Sequence, residues 1–319
     1  MILFYIITFV LLLICELGYF RIARYYRIGD KVTPRSSHRR YCLTGGGIIF
    51  IIAAIIFYIY NSSPLPATFG SMLIGAGILA VVSFADDIRN LSPGIRLIIQ
   101  SIIVSVAFSY ILQWGYLDIF IIVLVCGVGL INAYNFMDGI NGITAGYSLV
   151  TLGTLYYCFY NTPGVPLDFI GALIIAVGIF AFFNYRKKAV CFAGDIGSIV
   201  MGFFILYLII ELIWIRNNAT SIVFLLVYGV DTVYTIFQRL FMGENILLPH
   251  RHHLYQVFAN QWRIPHYVIS TGYASAQLFI NIIYFLIPEE FQWTYVIIVT
   301  MLLSAIYFVA KRSARSLRH

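Results

Sequence analysis

Charge is what this chain has least of. Only 10% of its 319 residues are charged, against 61% hydrophobic, and the mean hydropathy is +0.91. No soluble domain keeps so much apolar side chain from water, so the soluble globular classes are excluded. Cysteine is sparse too. Its five copies, Cys15, Cys42, Cys126, Cys158 and Cys191, are widely spaced with no Cys-x-x-Cys, which argues against a zinc cage or a disulfide framework. Low-complexity segments, linkers and internal repeats are missing, and an inverted repeat would have favoured a transporter. Residues Met1 to Ile14 carry neither a basic leader nor an Ala-x-Ala cleavage site, so they are expected to form an uncleaved first span.

What remains is a succession of long apolar runs. About 20 residues cross the hydrocarbon of a bilayer. The expectation is an all-α polytopic integral membrane protein, a single membrane-embedded domain over 1–319, with about eleven transmembrane helices. These are placed near 2–19, 45–60, 70–85, 95–113, 117–134, 142–160, 166–183, 198–215, 219–238, 267–287 and 291–310. With this count, every Lys and Arg except Arg216 falls on one side. The positive-inside rule then puts the N-terminus outside and the C-terminus in the cytoplasm. The net charge of +7 is therefore explained by topology, and nucleic acid is not an expected partner.

The unusual residues also gather in the inner loops, about 20–44, 85–96, 132–142, 184–198 and 238–266. Asp86-Asp87-Ile88-Arg89 places two adjacent carboxylates at the end of an apolar run. Such a pair is unfavourable where water thins out unless a cation lies between or beside them. The first inner loop, around Arg35, Ser36, Ser37, His38, Arg39 and Arg40, ends in Gly45-Gly46-Gly47, and cations, hydroxyls and glycines at a helix start suit a phosphate. Ordinary positive-inside decoration is the competing explanation. Asn132, Asn135, Asp138 and Asn141 recur every three residues at a span end and could bind a base, a sugar or a metal; small-residue helix packing competes there. Asp195 lies between glycines in Gly194-Asp-Ile-Gly197, after Arg186, Lys187 and Lys188. His250-Arg-His-His253 could bind zinc, but without paired cysteines contact with phosphate or diphosphate is preferred. Asp231, inside the ninth span, is functional or else a buried partner for Arg239. Carboxylates for Mg²⁺ and cations for phosphates are the two halves of a phosphoryl-transfer site, and the apolar body suggests a lipid substrate.

With these motifs assembled, the chain resembles the polyprenyl-phosphate N-acetylhexosamine-1-phosphate transferases, glycosyltransferase family 4. The resemblance rests on Asp86-Asp87, Asn135-Phe-Met-Asp-Gly-Ile-Asn-Gly142, Gly194-Asp-Ile-Gly-Ser198 and His250-Arg-His-His253, in the family's order. The Arg35-Ser-Ser-His38 segment and the span count look like the undecaprenyl-phosphate GlcNAc-1-phosphate branch that initiates O-antigen and capsule synthesis. The resemblance implies transfer of a HexNAc-1-phosphate from a UDP-sugar to undecaprenyl phosphate, with release of UMP, in the bacterial inner membrane and facing the cytoplasm. It implies Mg²⁺, with Mn²⁺ as the alternative ion, and a homodimer. By position it makes Asp86, Asp87 and Asp195 catalytic, with Asp195 and Asp87 at the metal. Asn135, Asp138, Asn141, Arg35, His38, His250, His252 and His253 would bind substrate. Asn141 stands where the family's Asp-Gly-x-Asp-Gly pattern has its second carboxylate. Covalent attack by Asp87 and direct attack by the lipid phosphate are both open. The rival class is a secondary transporter of an anionic sugar or nucleotide.

Overall fold

A computed structural model of the chain describes residues 2–30, 41–89, 91–162, 164–246, 248 and 250–316. The helices are α1 (Ile2–Tyr25), α2 (Ile48–Tyr60), α3 (Ala67–Arg89), α4 (Pro93–Ala107), α5 (Tyr110–Gln113), α6 (Leu117–Met137) and α7 (Ile143–Tyr160). They continue with α8 (Leu167–Asn184), α9 (Gly194–Arg216), α10 (Leu226–Phe241), α11 (Leu254–Asn260), α12 (His266–Leu286) and α13 (Gln292–Ser316). A 3₁₀ turn, Ala219–Leu225, leads into α10. The expected all-α class holds apart from a ribbon of two short antiparallel strands, Gly29–Asp30 and Cys42–Leu43. Among the described residues eight helical segments are long and apolar enough to cross a membrane, while Ile48–Tyr60 and Pro93–Ala107 are shorter apolar helices.

Two expected segments take a different form. The span expected over 95–113 stops at Ala107 and resumes as the short α5. Ser109 Oγ donates to the Val106 carbonyl at 2.9 Å, offering the backbone an alternative to the helix ladder. The loop expected over 238–266 contains α11, whose first residue follows the last histidine of the cluster.

The bundle is organised around α9. The apolar stretch of this helix is 89% buried, against 22% for those of α6 and α13, so α9 is enclosed by protein while the others face the bilayer along much of their length. It packs on α3 and α6 and also touches α2 and α7. Close approach at its start depends on glycine. A Cβ on Gly47 would lie 2.2 Å from the Gly197 Cα, so the two helix starts meet backbone to backbone. On the outward faces Ile6, Phe9, Val10, Val125, Met301 and Val309 stay exposed, as expected of a surface solvated by lipid tails.

The chain entering α9 is tied to the chain entering α2. Leu43 bridges Cys191 in parallel, Phe192 N–H donates to the Leu43 carbonyl at 2.7 Å, and Gly46 and Gly47 N–H donate to the Phe192 and Ala193 carbonyls at 2.9 and 3.0 Å. Tyr19 of α1 closes the junction by donating its hydroxyl to the Thr44 carbonyl. These bonds fix the position of Asp195, the second residue of α9.

Candidate active site

Adjacent residues on a helix point about 100° apart, and Asp86 and Asp87 diverge accordingly. Asp86 turns toward α4. Its Oδ2 accepts from Arg96 Nη1 at 2.6 Å and its Oδ1 accepts the Leu91 N–H; the carboxylate is thereby buried across the α3–α4 turn. Ser92, which accepts from Ile95 N–H as N-cap, and Pro93 at the first helical position start α4, which sets Arg96 within reach. Asp87 turns the other way and caps α9. Its Oδ1 and Oδ2 accept the Asp195 and Ile196 N–H groups at 2.9 and 3.2 Å. An anion on a helix N-terminus answers both the unpaired N–H groups and the helix dipole, for roughly 0.3–2 kcal/mol. Gly194 makes the approach feasible: its φ is +74°, and a Cβ there would meet Asp87 Oδ2 at 2.7 Å.

Asp195 is where these contacts meet. Its Oδ2 accepts from Arg96 Nη1 at 3.0 Å and its Oδ1 from Asn135 Nδ2 at 2.8 Å. A single guanidinium nitrogen thus serves Asp86 and Asp195, neutralising part of a repulsion that would otherwise be severe at this spacing. Asn135 also donates to Ser198 Oγ at 3.0 Å, one turn further along α9. The side chain of Asp195 is 28% exposed, against 7% for Asp86. It is therefore the more open carboxylate of the pair.

Asp138 caps the other end of α6 from Asp118 and accepts from Thr144 Oγ1 at 2.6 Å. Burial pushes its carboxyl up to about 6, against the opposing effect of that hydrogen bond. Asn141 does not join the carboxylates. Its amide donates to the Arg186 carbonyl at 2.8 Å, and its backbone carbonyl accepts from Ser270, so it fastens the α6–α7 turn to α12. Arg35 and His38 lie outside the described residues.

The histidines form a second group against the end of α6. The rings of His250 and His253 have centroids 4.8 Å apart, and Phe136 lies 6.2 and 6.3 Å from them. Tyr255 holds the two parts together by donating to the Phe136 carbonyl at 2.8 Å. His252 N–H donates to His250 Nδ1 at 3.2 Å. Burial first, and then the neighbouring His253, push His250 down to about 3; the ring is neutral near pH 7 and Nδ1 acts as an acceptor. His252 contacts Glu244 at 3.2 Å and is also pushed down by burial, against the pull of Glu244. The loop is stapled by buried Arg239, which donates to Glu244 at 3.0 Å and to the carbonyls of Asn245, Ile246 and Leu248. Lys311 of α13 adds a bond to the His252 carbonyl.

Arg96 and Asp231 carry more of this arrangement than their sequence contexts suggested. From the sequence, Arg96 is only a cation one or two turns into the span that follows Asp86-Asp87-Ile88-Arg89. Asp231 does not pair with Arg239 but accepts from Leu254 N–H at 2.8 Å and Tyr273 OH at 2.7 Å. Thr144 and Tyr255 have no signal of their own in the sequence, since each acts on a residue from another helix; Ser198 stood there only as the last residue of the Asp195 motif.

Comparison with known proteins relates the chain to one family. The model of glycosyl transferase family 4 matches residues 69–213, which include Asp86, Asp87, Arg96, Asn135, Asp138 and Asp195. The chain is 24% identical over 249 residues to a probable undecaprenyl-phosphate N-acetylglucosaminyl 1-phosphate transferase of Bacillus subtilis, covering 72% of this chain and 66% of that protein. It is 24% identical over 275 residues to the undecaprenyl-phosphate alpha-N-acetylglucosaminyl 1-phosphate transferase of Yersinia pestis, covering 79% and 72%. A phospho-N-acetylmuramoyl-pentapeptide-transferase of Thermotoga maritima is 28% identical over 183 residues, or 50% of this chain and 57% of that one. The chain thus spans about two thirds to three quarters of the first two relatives. The family 4 segment ends before Asp231 and the histidines, which the fold brings back against the end of α6.

Proposed function

We propose that the protein transfers a HexNAc-1-phosphate, with GlcNAc or a 6-deoxy-HexNAc as donor sugar, from a UDP-sugar to undecaprenyl phosphate and releases UMP. This would be the first membrane step of O-antigen, capsule or another envelope polysaccharide. The observation that carries the reading is the gathering of three carboxylates around the start of α9 at one end of an apolar bundle: Arg96 is shared by Asp86 and Asp195, Asn135 donates to Asp195, and Asp87 accepts the Asp195 N–H. Hard oxygen donors at a membrane boundary suit a reaction between a lipid phosphate and a soluble diphosphate. In this reading eleven spans place the site on the cytoplasmic side of the inner membrane, where UDP-sugars are made.

Mg²⁺ fits the donor set. Each oxygen of Asp195 accepts one hydrogen bond from protein and so keeps a lone pair, and the side chain is accessible. Among the described residues no group of three or more His, Cys, Asp and Glu is set to hold a metal. Mg²⁺ does not require such a cage; it is commonly held by one or two carboxylates, water and substrate phosphates. Asp195 would be the principal ligand, with Asp87 beside it. When bound, the ion neutralises charge that gathers on the diphosphate as UMP leaves.

In this reading a lipid-phosphate oxygen bonds to the β-phosphorus as the bond from that phosphorus to the bridging oxygen breaks, leaving with UMP. The lipid phosphate attacks directly in this reading, while Asp87, each of whose oxygens accepts a backbone N–H, is held against the start of α9. Asp87 is then a fixed anion that positions Asp195, and Arg96 sets the spacing between Asp86 and Asp195. His250, His252 and His253 face the donor.

The test is UMP release by the detergent-purified protein with undecaprenyl phosphate, Mg²⁺ and a panel of UDP-sugars, each omitted in turn. Release that needs lipid, metal and one UDP-HexNAc is the expected result, and Asp195→Asn should abolish it at every Mg²⁺ concentration. No release from folded protein with any donor would overturn the reading.

A further inference from the structure

A carboxylate inside an apolar helix must be partnered, and Asp231 of α10 is only 2% exposed. Part of its role is structural. It accepts the Leu254 and Tyr255 N–H groups at 2.8 and 3.4 Å and thus seats the first turn of α11. Tyr273 donates to it at 2.7 Å and Thr235 at 3.3 Å. An apolar cavity of about 330 Å³, lined among others by Val227, Val230, Phe258 and Leu303, lies beside it.

Seating α11 does not account for His253. This ring is 1% exposed, its Nδ1 stands 3.4 Å from Asp231 Oδ1, and neither Nδ1 nor Nε2 has a partner within hydrogen-bonding geometry among the described residues. Buried polar atoms without partners are uncommon, and each calls for an explanation. The ring lies against His250 and Phe136, and Phe136 is next to Asn135, which holds Asp195.

We propose that Asp231 is a positioning residue that holds the His253 imidazole through Nδ1 and leaves the Nε2 lone pair to accept a hydrogen bond from the bound donor sugar. A carboxylate beside one ring nitrogen keeps the hydrogen on that nitrogen and so fixes the tautomer at the other. The 3.4 Å separation is long for a hydrogen bond, but such contacts commonly shorten when substrate binds. The titratable groups around the pair are Tyr255 and Tyr273 on the Asp231 side, with Tyr228 behind Tyr273. On the imidazole side they are His250 and, beyond it, His252, Arg239 and Lys311. The inference rests on the transferase reading above.

The test is a double-mutant cycle with UMP release as the readout. Asp231→Asn, with its amide oxygen at the Oδ1 position, keeps an acceptor for Leu254 N–H but removes the charge facing His253 Nδ1. Its kcat/KM for the UDP-sugar should fall at least about 30-fold, while the KM for lipid phosphate and the thermal midpoint stay near wild type. In a His253→Ala background the same change should cost less than about threefold, because the ring through which it acts is gone. Tyr273→Phe, which leaves the α11 seat intact, should give a smaller loss that likewise disappears in that background. Full multiplicative losses for both changes would assign Asp231 to folding alone and overturn the proposal. Wild-type activity with additive losses sinks only this inference, whereas inactive folded wild type sinks the transferase reading itself.

Discussion

At the scale of the residue, the cost of burying a carboxylate is most directly measurable at Asp138. Its ordinary value of 3.8 is raised to about 6 by burial, with the Thr144 bond opposing. A carboxyl with a raised folded-state value holds its proton more tightly in the folded protein than in the unfolded chain. The resulting stabilisation is complete below about pH 4 and is lost as pH rises through about 6. Asp138→Asn carries no charge at any pH and cannot show this loss. The thermal midpoint of the variant relative to wild type should therefore rise between pH 5 and pH 7.5, measured in detergent without substrate. A difference that stays constant over that range would mean that Asp138 does not titrate there. The importance of this carboxylate was legible in the sequence because it recurs in register with Asn135. Its partner Thr144 was not: the loop expected over 132–142 tells that the chain turns after α6, but not that Thr144 comes back onto Asp138.

At the scale of the element, α9 is placed by contacts that exclude side chains. Gly47 and Gly197 bring the starts of α2 and α9 together, and the Phe192 and Ala193 carbonyls accept from Gly46 and Gly47. Gly47→Ala would put a methyl carbon 2.2 Å from the Gly197 Cα, and backbone cannot yield there as a flexible side chain would. Overpacking of this kind costs about 1–3 kcal/mol or more. The expected outcome is a lower thermal midpoint, with turnover per folded molecule falling further because Asp195 moves with α9. An unchanged midpoint would show that the two helices can separate without cost. The glycine run was noticeable in the sequence, where it suggested an anion-binding helix entry. Its role against α9 depends on a residue 150 positions further on. Helix existence was well specified by apolar run length; the break after Ala107 and the short α11 were not, because each depends on a local side-chain bond or on a distant carboxylate such as Asp231.

For the whole molecule, the decisive quantity is which side of the membrane holds the site. Helices alternate in direction, so the ends of α3, α6 and α10 and the starts of α4, α9 and α11 share one end of the bundle, as the Asp86–Arg96, Asn135–Asp195 and Asp231–Leu254 bonds require. Lys311 near the end of α13 reaches the same end through the His252 carbonyl. The C-terminal segment is therefore on the catalytic side, whichever side that is. In the proposed topology the distribution of Lys and Arg, with Arg216 alone opposite, would put that side in the cytoplasm. Moving so many cations across an energised membrane is strongly unfavourable, which gives the rule its physical basis. A reporter active only in the cytoplasm, fused after His319, should be active, and one active only in the periplasm should be silent. The reverse pattern would turn the carboxylates and histidines away from cytoplasmic UDP-sugars. The donor would then have to be supplied outside the cell membrane, and the transferase reading would lose its substrate.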